Sequence, residues 1–219
     1  MLAAMNLRIL ALLALVGCAG AVAAEAPKLT AYERSQGWKL LFDGRDTSDW
    51  RAFGGNKLPA NWQVRDGSLA GAAGGAIASA EEFGDFELQF DWRVVPGGRG
   101  AVHIRADEEA ATPEASGPVM LLAGHGDALG GNGLRAPDRA IPPQFDVWYR
   151  AKIVVFGNQV EYFINGDRVA SYMLDTAEWR AAVAASPQAG VKNFGRLRAG
   201  RIVFTGEGVE LRNVKVRNL

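Results

Sequence analysis

One cysteine, Cys18, and two histidines, His103 and His125, are all that a chain of 219 residues provides of either type. Without a second thiol there is no disulfide within the chain. With Cys18 in an N-terminal leader, the folded domain also lacks a thiol nucleophile and a Cys-ligated metal. Two histidines on unrelated segments, even with Asp127 near His125, do not make a ligand spacing, so no metal and no cofactor are expected. Charge of one sign is missing as well. The 24 basic and 24 acidic residues become 23 and 24 once Arg8 leaves with the leader, which gives no long-range field to gather nucleic acid. The apolar run from Ile9 to Val16 is too short to cross a bilayer, so no transmembrane span is expected.

What the chain does contain begins with that leader. Residues 1–24 read as an export signal, with Arg8 in the n-region, the apolar run, and then small residues. Two processing routes fit. Leu15-Val16-Gly17-Cys18 has the form of a lipobox that would lipidate Cys18 and leave a lipid anchor, whereas Ala21-Val22-Ala23 has the form of an ordinary signal cleavage site. Either route makes the protein exported, periplasmic or anchored in the outer membrane of a bacterium. A polar linker is expected over 25–36 and one domain over 37–219.

Within that domain the period is mostly two. Phe86, Leu88, Phe90, Trp92 and Val94 alternate with Glu87, Gln89, Asp91 and Arg93, the pattern of a half-buried strand. After Pro96-Gly97-Gly98 the alternation resumes, with Val102 and Ile104 inward and His103 and Arg105 outward. A hairpin with loop Gly97 to Arg99 would pair Arg93 with His103 and Asp91 with Arg105. Asp66-Gly67 joins a second hairpin that pairs Val64 with Leu69 on a buried face. Gly157-Asn158 and Asn165-Gly166 join a meander from Trp148 to Tyr172, with pairs Val155 to Val160, Ile153 to Tyr162 and Tyr162 to Val169.

Asp175-Thr176-Ala177-Glu178 has the form of a capping box opening one short helix to about Ser186, with Trp179, Ala182 and Val183 facing the core. Arg201 to Thr205, a Gly206-Glu207-Gly208 turn and Val209 to Leu219 close the chain. A change of parity there implies a bulge near Arg212-Asn213. The segment from Ala106 to Pro143 has no sustained period and is expected to border or cover the site. Many short antiparallel strands and one helix mean an all-β sandwich or jelly roll.

The expected hairpin makes a polar ledge. Its Glu87, Gln89, Asp91, Arg93, His103 and Arg105 combine two Arg, two carboxylates, an amide and an imidazole, a mix that suits a polyol and makes the ledge the candidate site. His125 and Asp127 on the long loop, and Trp148 as a stacking surface, complete the candidate set. The competing readings are a wetted sheet face, an Asp91–Arg105 ion pair of modest value, and core packing for Trp50 and Trp148 as for Trp38, Trp62, Trp92 and Trp179. Gly130 to Gly133 lacks the strand-to-helix context and the Lys of a phosphate loop.

Five stretches, in order, carry a resemblance: Gly37-Trp38-Lys39-Leu40-Leu41-Phe42-Asp43-Gly44 with Trp50; Trp62-Gln63-Val64-Arg65-Asp66-Gly67; Phe83 to Leu88 through Trp92-Arg93; Gly157-Asn158 through Asn165-Gly166; and Leu211 to Val216. They resemble the bacterial 3-keto-disaccharide hydrolase domain family. The resemblance implies a concanavalin A-like lectin/glucanase jelly roll, here with its short helix near 175–186, and a carbohydrate partner in the form of an oxidised glycoside. Two departures stand out. After Gly-Pro the family shows a Glu and a Gln spaced by one residue, where this chain has Val119, Met120 and Leu121. Before its last strand the family shows Gln-x-His-Gly, where this chain has Phe204-Thr205-Gly206-Glu207. His125 is the one other histidine able to replace the missing one.

Hydrolysis of 3-keto-glycosides is the activity the resemblance implies, because the ketone acidifies the neighbouring C–H and opens an elimination and hydration route. On the ledge Asp91 or His103 would then act as base, Arg93 or Arg105 would stabilise the enolate, and Glu87 and Gln89 would bind substrate. The runner-up, strengthened by the departures, is a carbohydrate-binding module of the same fold without turnover, and a weaker third reading is an envelope interaction module.

Overall fold

The structure is a computed structural model and describes residues 27–72, 74–123 and 129–219. Its strands are β1 (Lys39–Phe42), β2 (Trp50–Ala52), β3 (Trp62–Arg65), β4 (Ser68–Gly71), β5 (Ala76–Ser79), β6 (Phe86–Ala106), β7 (Val119–Ala123), β8 (Tyr149–Phe156), β9 (Gln159–Ile164), β10 (Asp167–Met173) and β11 (Arg201–Asn218). Two helices accompany them, α1 (Ala31–Ser35) and α2 (Ala177–Ala184). The whole is one 11-stranded sheet folded over on itself.

Two long antiparallel strands, β6 with 21 residues and β11 with 18, run through both halves. In the first half the order is β10-β9-β8-β6-β11-β1, using Phe86 to Trp92 of β6 and Arg212 to Asn218 of β11. In the second half it is β7-β6-β11-β5-β2, using Gly100 to His103 and Val203 to Thr205. The β3–β4 hairpin joins β11 at the bend, through Val209 to Leu211. The inner faces meet in one core. Phe90 of the first half packs edge-on against Phe204 of the second at 4.9 Å, and the Tyr162 hydroxyl donates to the Val119 carbonyl across the gap at 3.0 Å.

The bend corrects the central expectation from sequence. Gly97 to Arg99 is not a hairpin loop. Val95 to Gly98 stand opposite Gly208 alone, as a wide bulge within continuous pairing, so Gly206-Glu207-Gly208 is not a turn either. The glycines serve close approach. A Cβ at Gly206 would sit 2.5 Å from Val209 Cγ2, and Gly208 takes a left-handed φ of 68°. The bulge expected at Arg212-Asn213 is present, with Asn213 at φ 54°.

Elsewhere the two-residue turns form as read from sequence. Val64 pairs with Leu69 as expected, but only Leu69 is buried, and Val64 is 40% exposed. A bulge between Arg168 and Ala170 sets Tyr162 opposite Ala170 rather than Val169. The cap of α2 is Thr176, whose hydroxyl accepts from the Trp179 amide. Asp175 sits at φ 56° and pairs with Arg180 instead. The aperiodic segment contains β7 and a 3-10 turn at Pro113–Ala115. Within the stretch expected as a linker, α1 forms behind a Thr30/Glu33 capping box. Trp50 is buried, its indole donating to the Leu41 carbonyl at 2.7 Å. No helix among the described residues is long and apolar enough to cross a membrane.

Candidate active site

With β6 running straight through the bend, the polar ledge divides. Asp91 pairs with Arg212 on β11 and His103 with Val203, nine residues away along that strand, or roughly 30 Å at about 3.3 Å per residue. Arg93 therefore does not pair with His103, nor Asp91 with Arg105. Glu87, Gln89, Asp91 and Arg93 lie on one outer face and His103 on the opposite one.

The first outer face holds Glu87, Gln89, Asp91 and Arg93, and its polar groups are already engaged. Asp91, 5% exposed, accepts from Arg150 Nε at 3.1 Å, Arg212 Nε at 3.4 Å and Asn213 Nδ2 at 2.7 Å. Glu87 accepts from Arg217 at 2.6 Å and from Gln89 at 2.8 Å, and Arg93 Nε donates to Glu210 at 2.8 Å. Trp148, half-buried, lies under Arg212 at 3.9 Å and Arg93 at 5.1 Å. The Asp91 carboxylate, held by three donors, ties β6, β8 and β11 together on this face.

Arg105 leaves the ledge altogether. At φ 45° in a bulge, its buried guanidinium turns to donate to the Gly84 carbonyl at 2.9 Å, the Gly157 carbonyl at 2.8 Å and Asp85 at 2.7 Å. Burial pushes this guanidinium down from its ordinary value and Asp85 opposes the shift. A bulge re-aims one side chain while the strand continues, which alternation cannot anticipate. Arg105 clamps the start of β6 to the β8–β9 turn and reaches no open surface. His103 does face outward on the second half, between Val119 and Val203, yet it is only 2% exposed. His125, Asp127 and Cys18 lie outside the described residues.

A roomy hollow is on the second outer face. A cleft of about 660 Å³ lies between the chain after β2, the 3-10 turn and the bend of the long strands. Phe53 supplies an aromatic wall. Asn61, Thr205, Arg99, Glu114 and Glu207 supply polar groups. Glu114 and Glu207 are exposed, and Glu207 lies 3.7 Å from Arg99. Asn61 is oriented by donating to the Gly74 carbonyl. Beyond one end of the cleft, Glu108 braces the loop that carries Glu114, bound bidentately by Arg51 and also by Arg201 and the Gly54 amide. Burial pushes the Glu108 carboxyl up, but the Arg51 and Gly54 hydrogen bonds outweigh it and hold it below the usual carboxylate range.

His103 stands one row beyond Ala101 and Thr205 on this same face and does not line the cleft. Val119 is directly opposed to His103, and Leu121 to Ala101, so the positions where the family resemblance expects Glu and Gln also look onto this face and are apolar here. Among the described residues no three His, Cys, Asp or Glu side chains gather as a metal site requires. Periodicity gave no signal for Glu114 and Asn61, which lie on turns, or for Arg99 beside the wide bulge, whereas Thr205 lies in regular pairing on β11 opposite Ala101 and Ala76. Glu207 had a signal, its place where the family shows His-Gly.

A sheet of this topology folded over an apolar core, with a cleft on one outer face, defines a concanavalin A-like jelly roll. Residues 37–217 match the 3-keto-alpha-glucoside-1,2-lyase-like domain, and the chain belongs to that family. Among curated proteins it is 28% identical over 199 residues to a 3-keto-disaccharide hydrolase of Bacteroides thetaiotaomicron, a match covering 75% of this chain and 68% of the relative. Among solved structures, a candidate glycosyl hydrolase of Parabacteroides distasonis superposes with TM-score 0.78 at 22% identity, over 88% of this chain and 98% of its own. The carbohydrate-binding module CBM66 of Bacillus subtilis gives 0.53 at 13% identity, over 78% and 96%.

Proposed function

We propose that this protein is an exported hydrolase of 3-keto-glycosides that works in the cleft on the second outer face. The observation that carries this reading is the pair of exposed carboxylates, Glu114 and Glu207, set with Arg99 around an aromatic wall in a chain of this family. Glu207 takes the proton from the carbon next to the ketone. Arg99 stabilises the enolate oxygen that results, and Glu114 as an acid gives a proton to the departing glycosidic oxygen as the C–O bond breaks. Water then adds across the carbon–carbon double bond, and the sum of the two steps is hydrolysis. Asn61 and Thr205 hydrogen-bond the hydroxyls and Phe53 packs on the ring.

The test is turnover of a 3-keto-glucoside by the full chain and by Glu207→Gln and Glu114→Gln. Loss of turnover with retained binding supports the assignment, and full activity in both variants removes it. Val119 and Leu121 favour a second reading, a carbohydrate-binding module without turnover. Calorimetric binding of the same glycoside with no product from the unaltered chain would select it. Export is tested by the mass of the mature N-terminus: a diacylglyceryl Cys18 marks the lipoprotein route, a start just after Ala23 or Ala24 the ordinary route, and an intact Met1 refutes export.

A further inference from the structure

On the first outer face, away from the cleft, a hollow of about 450 Å³ is bounded by Trp148, Arg150, Asn165, Arg212 and Asp91. Its arginines are held in an unusual way. Asp91 accepts from Arg150 and from Arg212 through Nε in each case, while Asn213, turned by its bulge, takes up a remaining acceptor position at 2.7 Å. Each guanidinium thus spends its Nε on a buried carboxylate and forms no other side-chain hydrogen bond among the described residues. The terminal nitrogens, the ones that grip carboxylates in a fork, are left for a ligand.

The surroundings fit that role. Arg150 is 72% exposed and Arg212 41% exposed at the side chain, so neither is sealed in. Arg212 lies flat over Trp148 at 3.9 Å, which fixes its plane. Asn165 Oδ1 accepts from the Arg150 amide at 2.9 Å, so its Nδ2 is the part left to donate outward. The acidic groups Glu210 and Asp146 act on Arg93, leaving Arg150 and Arg212 as the electropositive side of the hollow. Two preset forks, an amide and an indole edge match a sugar ring that carries a carboxylate.

We infer that this hollow is a second binding site, distinct from the cleft, for the uronate unit of an acidic saccharide. Arg150 and Arg212 grip the carboxylate, Asn165 bonds a ring hydroxyl and Trp148 bounds the ring. The site does not depend on turnover in the cleft, and its failure leaves that reading untouched.

The experiment is calorimetric titration of the full chain with tri-galacturonate, galactotriose and sodium acetate. Tri-galacturonate is expected to bind, with galactotriose and acetate each at least about tenfold weaker, and raised salt is expected to weaken the acidic ligand. Arg150→Ala removes an exposed side chain outside the core. It is expected to weaken tri-galacturonate about tenfold, the loss of one charge-assisted contact, while turnover of a 3-keto-glucoside is unchanged. Equal binding of the acidic and neutral trisaccharides, equal competition by acetate, or an Arg150→Ala titration identical to the parent would overturn the proposal.

Discussion

The two outer faces of this jelly roll share a core and two long strands but use their polar residues in opposite ways. The first is dense with charge, and Glu87, Asp91, Arg93 and Glu210 are tied into ion pairs that hold neighbouring strands in register. The second is mostly small and apolar along Ala78, Ala101 and Val203, with a few lightly engaged groups at the rim of a cleft. Alternation of polar residues marks a face, not a site. A carboxylate with three donors stabilises the fold, whereas Glu114 and Glu207 stand exposed at the rim of a concavity.

The sharpest way to separate the faces is to remove one acid from each. Glu207→Gln is expected to lower turnover of a 3-keto-glucoside by about 10² or more, the range for loss of a general base, and Glu87→Gln to leave it within about twofold. The reverse result would exchange the roles of the faces. Next in size is the clamp between them. Arg105→Ala strands the Gly84 and Gly157 carbonyls and is expected to cost about 2–4 kcal/mol in denaturant unfolding, with KM unchanged in the folded fraction.

A smaller effect tests the first face directly. Asp91→Asn keeps the shape but weakens the acceptor for Arg150, Arg212 and Asn213, which is expected to cost about 1–2 kcal/mol with no loss of turnover. Loss of activity in a variant of unchanged melting temperature would make Asp91 catalytic after all. The smallest effect is on the second face. Glu108 is held below its ordinary value of 4.5, so its stabilisation is present above that pH and is lost as pH falls through the lower folded value. The melting-temperature gap between the parent and Glu108→Gln is therefore expected to be constant near neutrality and to close below about pH 4.5.

Local chemistry in the sequence identified the turns at Asp66-Gly67, Gly157-Asn158 and Asn165-Gly166 and the inward set from Phe86 to Val94, because two-residue turns and period two are decided by neighbours. Pro96-Gly97-Gly98 was illegible in the same terms. Glycine serves a hairpin and a bulge equally, and what decides here is the partner β11, more than a hundred residues on, whose Gly206 allows the strands to stay paired through the bend. Once that one junction is misread, Asp91 and His103 seem to be neighbours and the two faces merge. β7 was hidden for another reason. Met120 and Leu122 face the core, and Val119 and Leu121 on the opposite face are apolar as well, so no alternation remains. Of the cleft residues, Asn61 and Glu114 lie on turns and Arg99 beside the bulge, where spacing carries no face information.

Where the substrate sits can be read most directly by following backbone amide shifts in the full chain as a 3-keto-glucoside is added. Shifts concentrated at Arg99, Glu114, Thr205 and Glu207, with Asp91, Arg150 and Arg212 still, are the expected result. Shifts centred on Asp91 and Trp148, with the second face silent, would contradict it.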